Sequence, residues 1–208
     1  MTTNADTQLS AAAVLLAAGL STRMGARNKL LIEIGGEPLV RRIAKVYLAA
    51  GASLYAVLGH EAPLVRGALD GLAVTFAENP RYAEGQAGSL HAGLRAVHGS
   101  HDAVLVALAD QAALNEEDIG GLLRAFAGGD RACALIPYYR DLRGNPVLFP
   151  RKIVARLLAG ASESTGRGFF AANPELARRY EAPNDHFVID IDTPDDLDAF
   201  SGRTGPAL

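Results

Sequence analysis

The stretch from 14 to 29, VLLAAGLSTRMGARNK, constrains this chain more than any other: an apolar run breaks into glycine, hydroxyl and basic residues and closes on a lysine. The run 11–17 is too short to span a membrane and lacks the polar alternation of a half-exposed strand, so it predicts a buried central strand. Gly19 ends the run. Gly19 and Gly25 can take positive φ and let a backbone approach a ligand, and free N–H groups in such a turn form a concavity for phosphate oxygens. Arg23 and Lys29 add two cations. The stretch reads as an anion-binding loop; the alternative is an ordinary strand-to-loop turn with surface basic residues.

Two familiar phosphate loops fail on spacing. A Walker A loop needs Ser or Thr after its Gly-Lys pair, whereas Gly25 is followed by Ala26. The Gly-x-Gly-x-x-Gly fingerprint would need glycine where Ser21 stands, which argues against a dinucleotide-binding oxidoreductase.

Strand and helix patterns alternate along the rest of the chain. An extended piece ends at Gly35-Gly36, and Pro38 opens a helix to about 50 whose buried face is set by Leu39, Ile43, Val46, Tyr47 and Ala50. LYAVLG and LAVTFAE read as strands around a short helix at 63–69, and a polar loop passes into an amphipathic helix at about Gly88. DAVLVALAD is a strand leading to Asp110; Asn115 caps a helix ending near Gly128; RACALIPYY is a strand with Cys133 buried in it. Gly144-Asn145-Pro146 turns into an extended run, and 151–158 is helical, with Ser162 or Ser164 as the cap of a further helix. Residues 187–191 alternate as a strand that puts Asp190 and Asp192 on one side, before a last helix opening at Thr193-Pro194. The pattern predicts an α/β fold, a three-layer, doubly wound, mainly parallel Rossmann-like sheet, with 11–200 as one domain between flexible tails at 1–10 and 201–208.

Composition narrows the function classes. A formal charge of −3 gives no basic field for a nucleic-acid backbone. No apolar run approaches the ~18 residues of a membrane span, and the polar start lacks the features of a secretion signal, so the expected location is cytoplasmic and off the membrane. The single cysteine excludes an intrachain disulfide. His91, His98 and His101 match no zinc spacing and read as a helix end.

In open parallel sheets the ligand lies beyond the carboxyl ends of the strands, so Asp110 and the Gly19 loop should face one crevice. The start of the helix near Gly88 would bring Gly85, Gln86 and Ser89 to it from the other side. Arg140 and Arg143 flank a turn where they could meet an anion.

The motif LAAG-x-S-x-R-M-G followed by Asn-Lys-Leu-Leu resembles the signature of the nucleotidyltransferases of the molybdenum-cofactor group. Within that group, Leu16-Ala17-Ala18-Gly19 with Asn28-Lys29 is similar to the molybdenum cofactor cytidylyltransferases. The resemblance implies a nucleotidyltransferase fold in which Leu16, Ala17, Ala18, Gly19, Ser21, Arg23, Lys29, Gly85, Gln86, Ser89 and Asp110 bind the nucleotide. It implies CTP as donor, Arg23, Lys29 and Asp110 as catalytic residues, and Mg²⁺, with Mn²⁺ an alternative, on Asp110 and Asp192, Asp190 being the rival ligand. It further implies a molybdopterin-type acceptor and a chaperone or target molybdoenzyme as protein partner. Two departures bear on the acceptor: Ala112 stands where the family has proline, and 162–165 do not match its Gly-Asp-x-Gly-Ala-Arg segment. A sugar or polyol phosphate acceptor, or a nucleotide-binding regulator without catalysis, are the competing readings.

Overall fold

A computed structural model describes residues 9–25, 27–97, 99–160 and 165–204. Strand β1 (Ala11–Ala17) leads through the basic loop to a small hairpin, β2 (Glu33–Ile34) and β3 (Glu37–Pro38), turned by Gly35 and Gly36 with φ of 63° and 78°. Then come α1 (Leu39–Ala49), β4 (Ser53–Leu58), α2 (Ala62–Ala68), β5 (Val74–Glu78), α3 (Gln86–Val97), β6 (Ala103–Leu108) and α4 (Glu116–Ala127). The second half holds β7 (Ala134–Tyr139), β8 (Leu142–Arg143), β9 (Val147–Pro150), α5 (Arg151–Ala159), α6 (Gly166–Ala172), β10 (Ala177–Glu181) and α7 (Pro194–Thr204).

The main sheet runs β10-β7-β9-β6-β1-β4-β5, with β8 attached to β7. β1 pairs in parallel with both β4 and β6, so chain order reverses around it. β9 runs antiparallel between β6 and β7, which makes the sheet mixed at that side and parallel elsewhere.

Two apolar layers sandwich the sheet. Ala13, Leu15 and Ala17 of β1 face the layer of α1, α2 and α4, anchored by Ile43, Tyr47 and Phe126. Ala12 and Val14 face α3 and α5, packed through Leu94, Ile153 and Leu157. Alternate residues of one strand thus serve opposite cores, as strand geometry requires. Gly93 lets α3 lie close to the sheet, since a Cβ there would come 2.3 Å from a Val14 methyl.

Several expectations need correction. α3 begins at Gln86, not near Gly88. Val46 and Ala50 are only half-buried, Val40 and Ala44 taking their place on the buried face of α1. Cys133 precedes β7 and is half-exposed, its thiol directed to the Asp130 carboxylate. Residues 187–191 do not form a strand: Asp185–Val188 is a 3-10 turn capped by Asn184, and the Phe187 carbonyl accepts from Asn145 N–H and the Gln111 side chain, so its backbone bonds go to loops. The helix expected after 160 is capped by Thr165, whose hydroxyl accepts from Gly168 N–H at 3.0 Å; Ser162 and Ser164, like Ala26, His98 and the ends 1–8 and 205–208, lie outside the described residues. α7 continues past 200 to Thr204 and buries Phe200. His101 sits before β6, not on a helix end, bonding Ser10 Oγ at 2.9 Å. Among the described residues, no helix is long and apolar enough to cross a membrane.

Candidate active site

The carboxyl ends of β1 and β6 open into one cleft of about 340 Å³, lined by Leu16, Ala18, Gly19, Ser21, Arg23 and Lys29 from the first loop. Gly85, Gln86 and Ser89 line it from the start of α3, and Asp110 and Asp192 from the far side. This is the point of chain-order reversal, where open α/β sheets bind ligands. Of the residues expected to bind the nucleotide, Ala17 alone does not line the cleft; it faces the α1 layer because β1 alternates.

The basic loop is built by its own polar groups. Ser21 takes the left-handed conformation, φ 53°, while Gly19 does not; of the two expected glycines, Gly25 is the one with positive φ, at 67°. The Ser21 hydroxyl donates to Asn28 Oδ1 at 3.4 Å and accepts Lys29 N–H at 3.3 Å, and Asn28 Oδ1 accepts Leu30 N–H at 3.1 Å. Ser21 therefore holds the loop's shape with its side chain. A Cβ on Gly19 would meet nothing within 4 Å, so the loop leaves open space there.

Lys29 is the electrostatic centre. Its Nζ lies 2.5 Å from Asp110 Oδ2 and 2.7 Å from Asp192 Oδ1, and Arg23 reaches Asp192 Oδ2 at 2.8 Å. Burial pulls the Lys29 pKa down, but attraction and hydrogen bonding to Asp110 and Asp192 outweigh it, so the net direction is up and the ammonium stays charged. Asp192 is brought there by Ile191 N–H, which donates to the Asp110 carbonyl at 3.0 Å, and by the Thr193/Asp196 capping box that starts α7.

The two carboxylates fit a divalent cation. They already share one cation, and Asp110 Oδ1 is buried without a partner, so an oxygen lone pair remains for a ligand. Among the described residues no three or more His, Cys, Asp or Glu gather as a metal cage. A pair of carboxylates is what a cation carried in on phosphates needs.

A second cavity of about 440 Å³ adjoins the first, and the two share Leu16, Gln86 and Leu108. Arg143, Asn145, Arg167 and Asp190 line it. Asp190 and Asp192, expected on one side of a strand, thus serve different cavities. Burial is the main cause that lifts the Asp190 pKa to about 6, with Asp110 and Asp192 adding to it. Arg140 lines neither cavity, its guanidinium lying 5.3 Å over the Tyr139 ring.

Sequence reasoning assigned no role to three supporting residues, although Gln111 matches the resembling family beside Asp110. Gln111 is fully buried, and its side chain donates to the Phe187 carbonyl at 2.9 Å, tying the acidic loop beneath Asp110. Asn79 is buried and donates to Ser89 Oγ at 3.0 Å. Tyr82 lines the first cleft, and Gly59 makes room for it, since a Cβ there would lie 2.6 Å from the Tyr82 Cβ. The one available signal was the run of polar residues at 79–86 directly after a strand.

A family model described as MobA-like NTP transferase domain matches residues 13–179. The bifunctional protein GlmU of Anaeromyxobacter dehalogenans is 32% identical over 82% of this chain, which spans 38% of that relative's length. The nicotine blue oxidoreductase of Paenarthrobacter nicotinovorans is 30% identical, with 86% of this chain and 91% of the relative covered. A probable molybdenum cofactor guanylyltransferase of Natronomonas pharaonis is 35% identical over 45% of this chain and 47% of its own. Among solved structures, a nucleotidyl transferase from Methanothermobacter thermautotroptrophicus superposes with a TM-score of 0.79 at 22% identity, covering 94% of this chain and 99% of the other. At that identity the likeness concerns the fold.

Proposed function

Since the chain belongs to the family of MobA-like NTP transferase domains, matched over 13–179, we propose that it is a nucleotidyltransferase that moves CMP from CTP to a phosphate-bearing acceptor and releases pyrophosphate. The acceptor we assign is the molybdenum-bound pterin cofactor, on the resemblance of Leu16-Ala17-Ala18-Gly19 and Asn28-Lys29 to the cytidylyltransferases. The observation that carries the reaction class is Lys29, held between Asp110 and Asp192 in the cleft that the first loop and the start of α3 also line.

The chemistry needs no nucleophilic side chain. An acceptor phosphate oxygen attacks the α-phosphorus; a new P–O bond forms as the bond to pyrophosphate breaks. The first loop and the start of α3 hold the triphosphate in line with the second cavity. Lys29 neutralises charge on the α-phosphate, and Arg23, exposed at the rim, meets the departing pyrophosphate. Asp110 and Asp192 would hold Mg²⁺, with Mn²⁺ an alternative, and the cation would supply positive charge against the negative charge of the phosphates. The place of work we assign is the cytoplasm, with a chaperone or target molybdoenzyme receiving the product.

The test is to incubate the protein with each NTP, Mg²⁺ and either a molybdopterin-type or a sugar phosphate acceptor while following pyrophosphate. CTP with the pterin is expected to give release, and Asp110→Asn to lose this Mg²⁺-dependent activity while keeping the fold. A metal titration of that variant matching wild type would remove Asp110 as ligand.

A second reading has one finding in its favour: the nicotine blue oxidoreductase relative, matched along nearly its whole length. In that reading the first cleft holds a dinucleotide and the second the molecule to be reduced. Consumption of a reduced nicotinamide dinucleotide, with no pyrophosphate released from any NTP, would establish it instead.

A further inference from the structure

The ammonium of Lys29 occupies the oxygens that a divalent cation would need. Its Nζ lies 2.5 Å from Asp110 Oδ2 and 2.7 Å from Asp192 Oδ1, and Arg23 holds Asp192 Oδ2 at 2.8 Å. Asp110 Oδ1 is the oxygen of the pair left without a partner, and it is buried. A Mg²⁺ ion takes carboxylate oxygens at about 2.0–2.1 Å. An ammonium on the same oxygens would face it at a few ångströms in a half-buried setting, where like charges repel strongly. The two cations therefore exclude each other from the shared pair.

An exchange between them needs only a side chain to move. The Lys29 N–H donates to Ser21 Oγ at 3.3 Å, and Asn28 caps the turn that Lys29 opens, so the backbone is held. The four-carbon stem beyond it is rotatable and ends in a compact point charge. Among the described residues that line the cleft, Arg23 and Lys29 are the cations, and both are committed to carboxylates. A polyphosphate entering the cleft must draw them off, and the same movement uncovers Asp110 and Asp192. A cation alone meets the ammonium, and a polyphosphate alone meets bare carboxylates; together they exchange partners and every charge is answered.

We propose that Lys29 is an interlock: its ammonium competes with the divalent cation for Asp110 and Asp192, and a polyphosphate relieves the competition by taking the ammonium onto its own oxygens. The cleft then takes cation and polyphosphate as a pair and resists either one alone, a coupling that must be reciprocal. The proposal rests on the transferase reading only for the identity of the polyphosphate as a nucleoside triphosphate.

The test is a titration of the whole protein with Mn²⁺, without nucleotide, the free ion being read by electron paramagnetic resonance. Lys29→Gln should bind Mn²⁺ about tenfold or more tightly than wild type, as for release of a half-buried charge from a carboxylate pair. Arg23→Gln removes the same unit of charge from an exposed position and leaves the ammonium in place, so it should gain only a few-fold. Adding Asp110→Asn to Lys29→Gln should abolish the gain. Near-UV circular dichroism checks folding, and Lys29→Met is expected to behave alike if the glutamine variant does not fold. The interlock is overturned if the Lys29 variants bind Mn²⁺ no more tightly than wild type, if Arg23→Gln gains as much, or if the double variant keeps the gain. Calorimetry of CTP binding, with Mg²⁺ and with chelator, reads the coupling: the ratio of the two affinities should be smaller in Lys29→Gln than in wild type, and equal ratios would remove the part given to the polyphosphate. The Mn²⁺ titration contains neither nucleotide nor acceptor. Pyrophosphate release by wild type with unchanged Mn²⁺ binding in the Lys29 variants sinks the interlock alone, whereas tightened Mn²⁺ binding with no release from any NTP sinks the transferase reading alone.

Discussion

At the scale of single residues, the site turns on one ammonium between two acids. Removing Lys29 leaves Asp110 and Asp192 close together without their shared counter-ion, and in the proposed reaction takes away the cation assigned to the α-phosphate. Lys29→Ala is expected to lower turnover by about a hundred- to a thousand-fold, the scale of one lost transition-state donor. Steady-state pyrophosphate release measures it, and near-normal turnover would take Lys29 out of the mechanism. Lys29, Asp110 and Asp192 were legible in the sequence because local pattern fixes each: a loop after a buried strand, the end of an apolar run, the residue before a Thr-Pro helix start. Asp190 was not separable from Asp192, since what sends them to different cavities is a set of long-range bonds to Phe187 and Ile191.

At the scale of elements, those same bonds explain why the sheet was readable and the acidic loop was not. Periodicity reports burial within a segment, and β1, β4 and β6 each bury their own pattern, while the edge strand β5 is half-buried. The segment 187–191 alternates like a strand, yet its Phe187 carbonyl is claimed by the Gln111 side chain and the Asn145 N–H, and its Ile191 N–H by the Asp110 carbonyl, all remote in sequence. Gly144 is required there by close approach, because a Cβ would lie 2.4 Å from the Phe187 carbonyl oxygen. Gly144→Ala should therefore cost about 1–3 kcal/mol, the range of an overpacked core, and weaken metal binding by shifting Asp192. Urea denaturation and a metal titration test the two effects; an unchanged midpoint would show that the turn and the acidic loop do not press on each other. A second element-level expectation concerns the join of β1, β4 and β6, where His101 bonds Ser10 Oγ and lies edge-on to Tyr55 at 6.0 Å. Burial first, with Arg151 assisting and Asp102 opposing, lowers its pKa in the folded protein. The unfolded chain thus takes up the proton at the higher pH, near 6.5 for an ordinary histidine. This contribution to stability is full above that value and is lost as pH falls toward the lowered folded pKa. Between pH 7.5 and 5.5 the urea midpoint of wild type should drop further than that of His101→Gln; equal drops would remove His101 as the cause.

At the scale of the whole molecule, the arrangement of the two cavities decides the kinetic order. They open onto each other across Leu16, Gln86 and Leu108, two aliphatic side chains and an amide, none of which can carry a transferred nucleotidyl group. Among the described residues that line the first cavity Lys29 is the one amine, and it is held protonated by Asp110 and Asp192, so its nitrogen has no free lone pair for attack on phosphorus. The proposed reaction assigns no side chain as nucleophile, so both substrates are expected to be seated before the bond is made. Initial rates measured against CTP at several acceptor concentrations should give intersecting double-reciprocal lines. Mass spectrometry of enzyme incubated with CTP and Mg²⁺ alone should show the unmodified chain. Parallel lines together with a mass increase of one cytidylyl group would mean that a side chain of the cleft acts as the nucleophile and overturn the direct transfer.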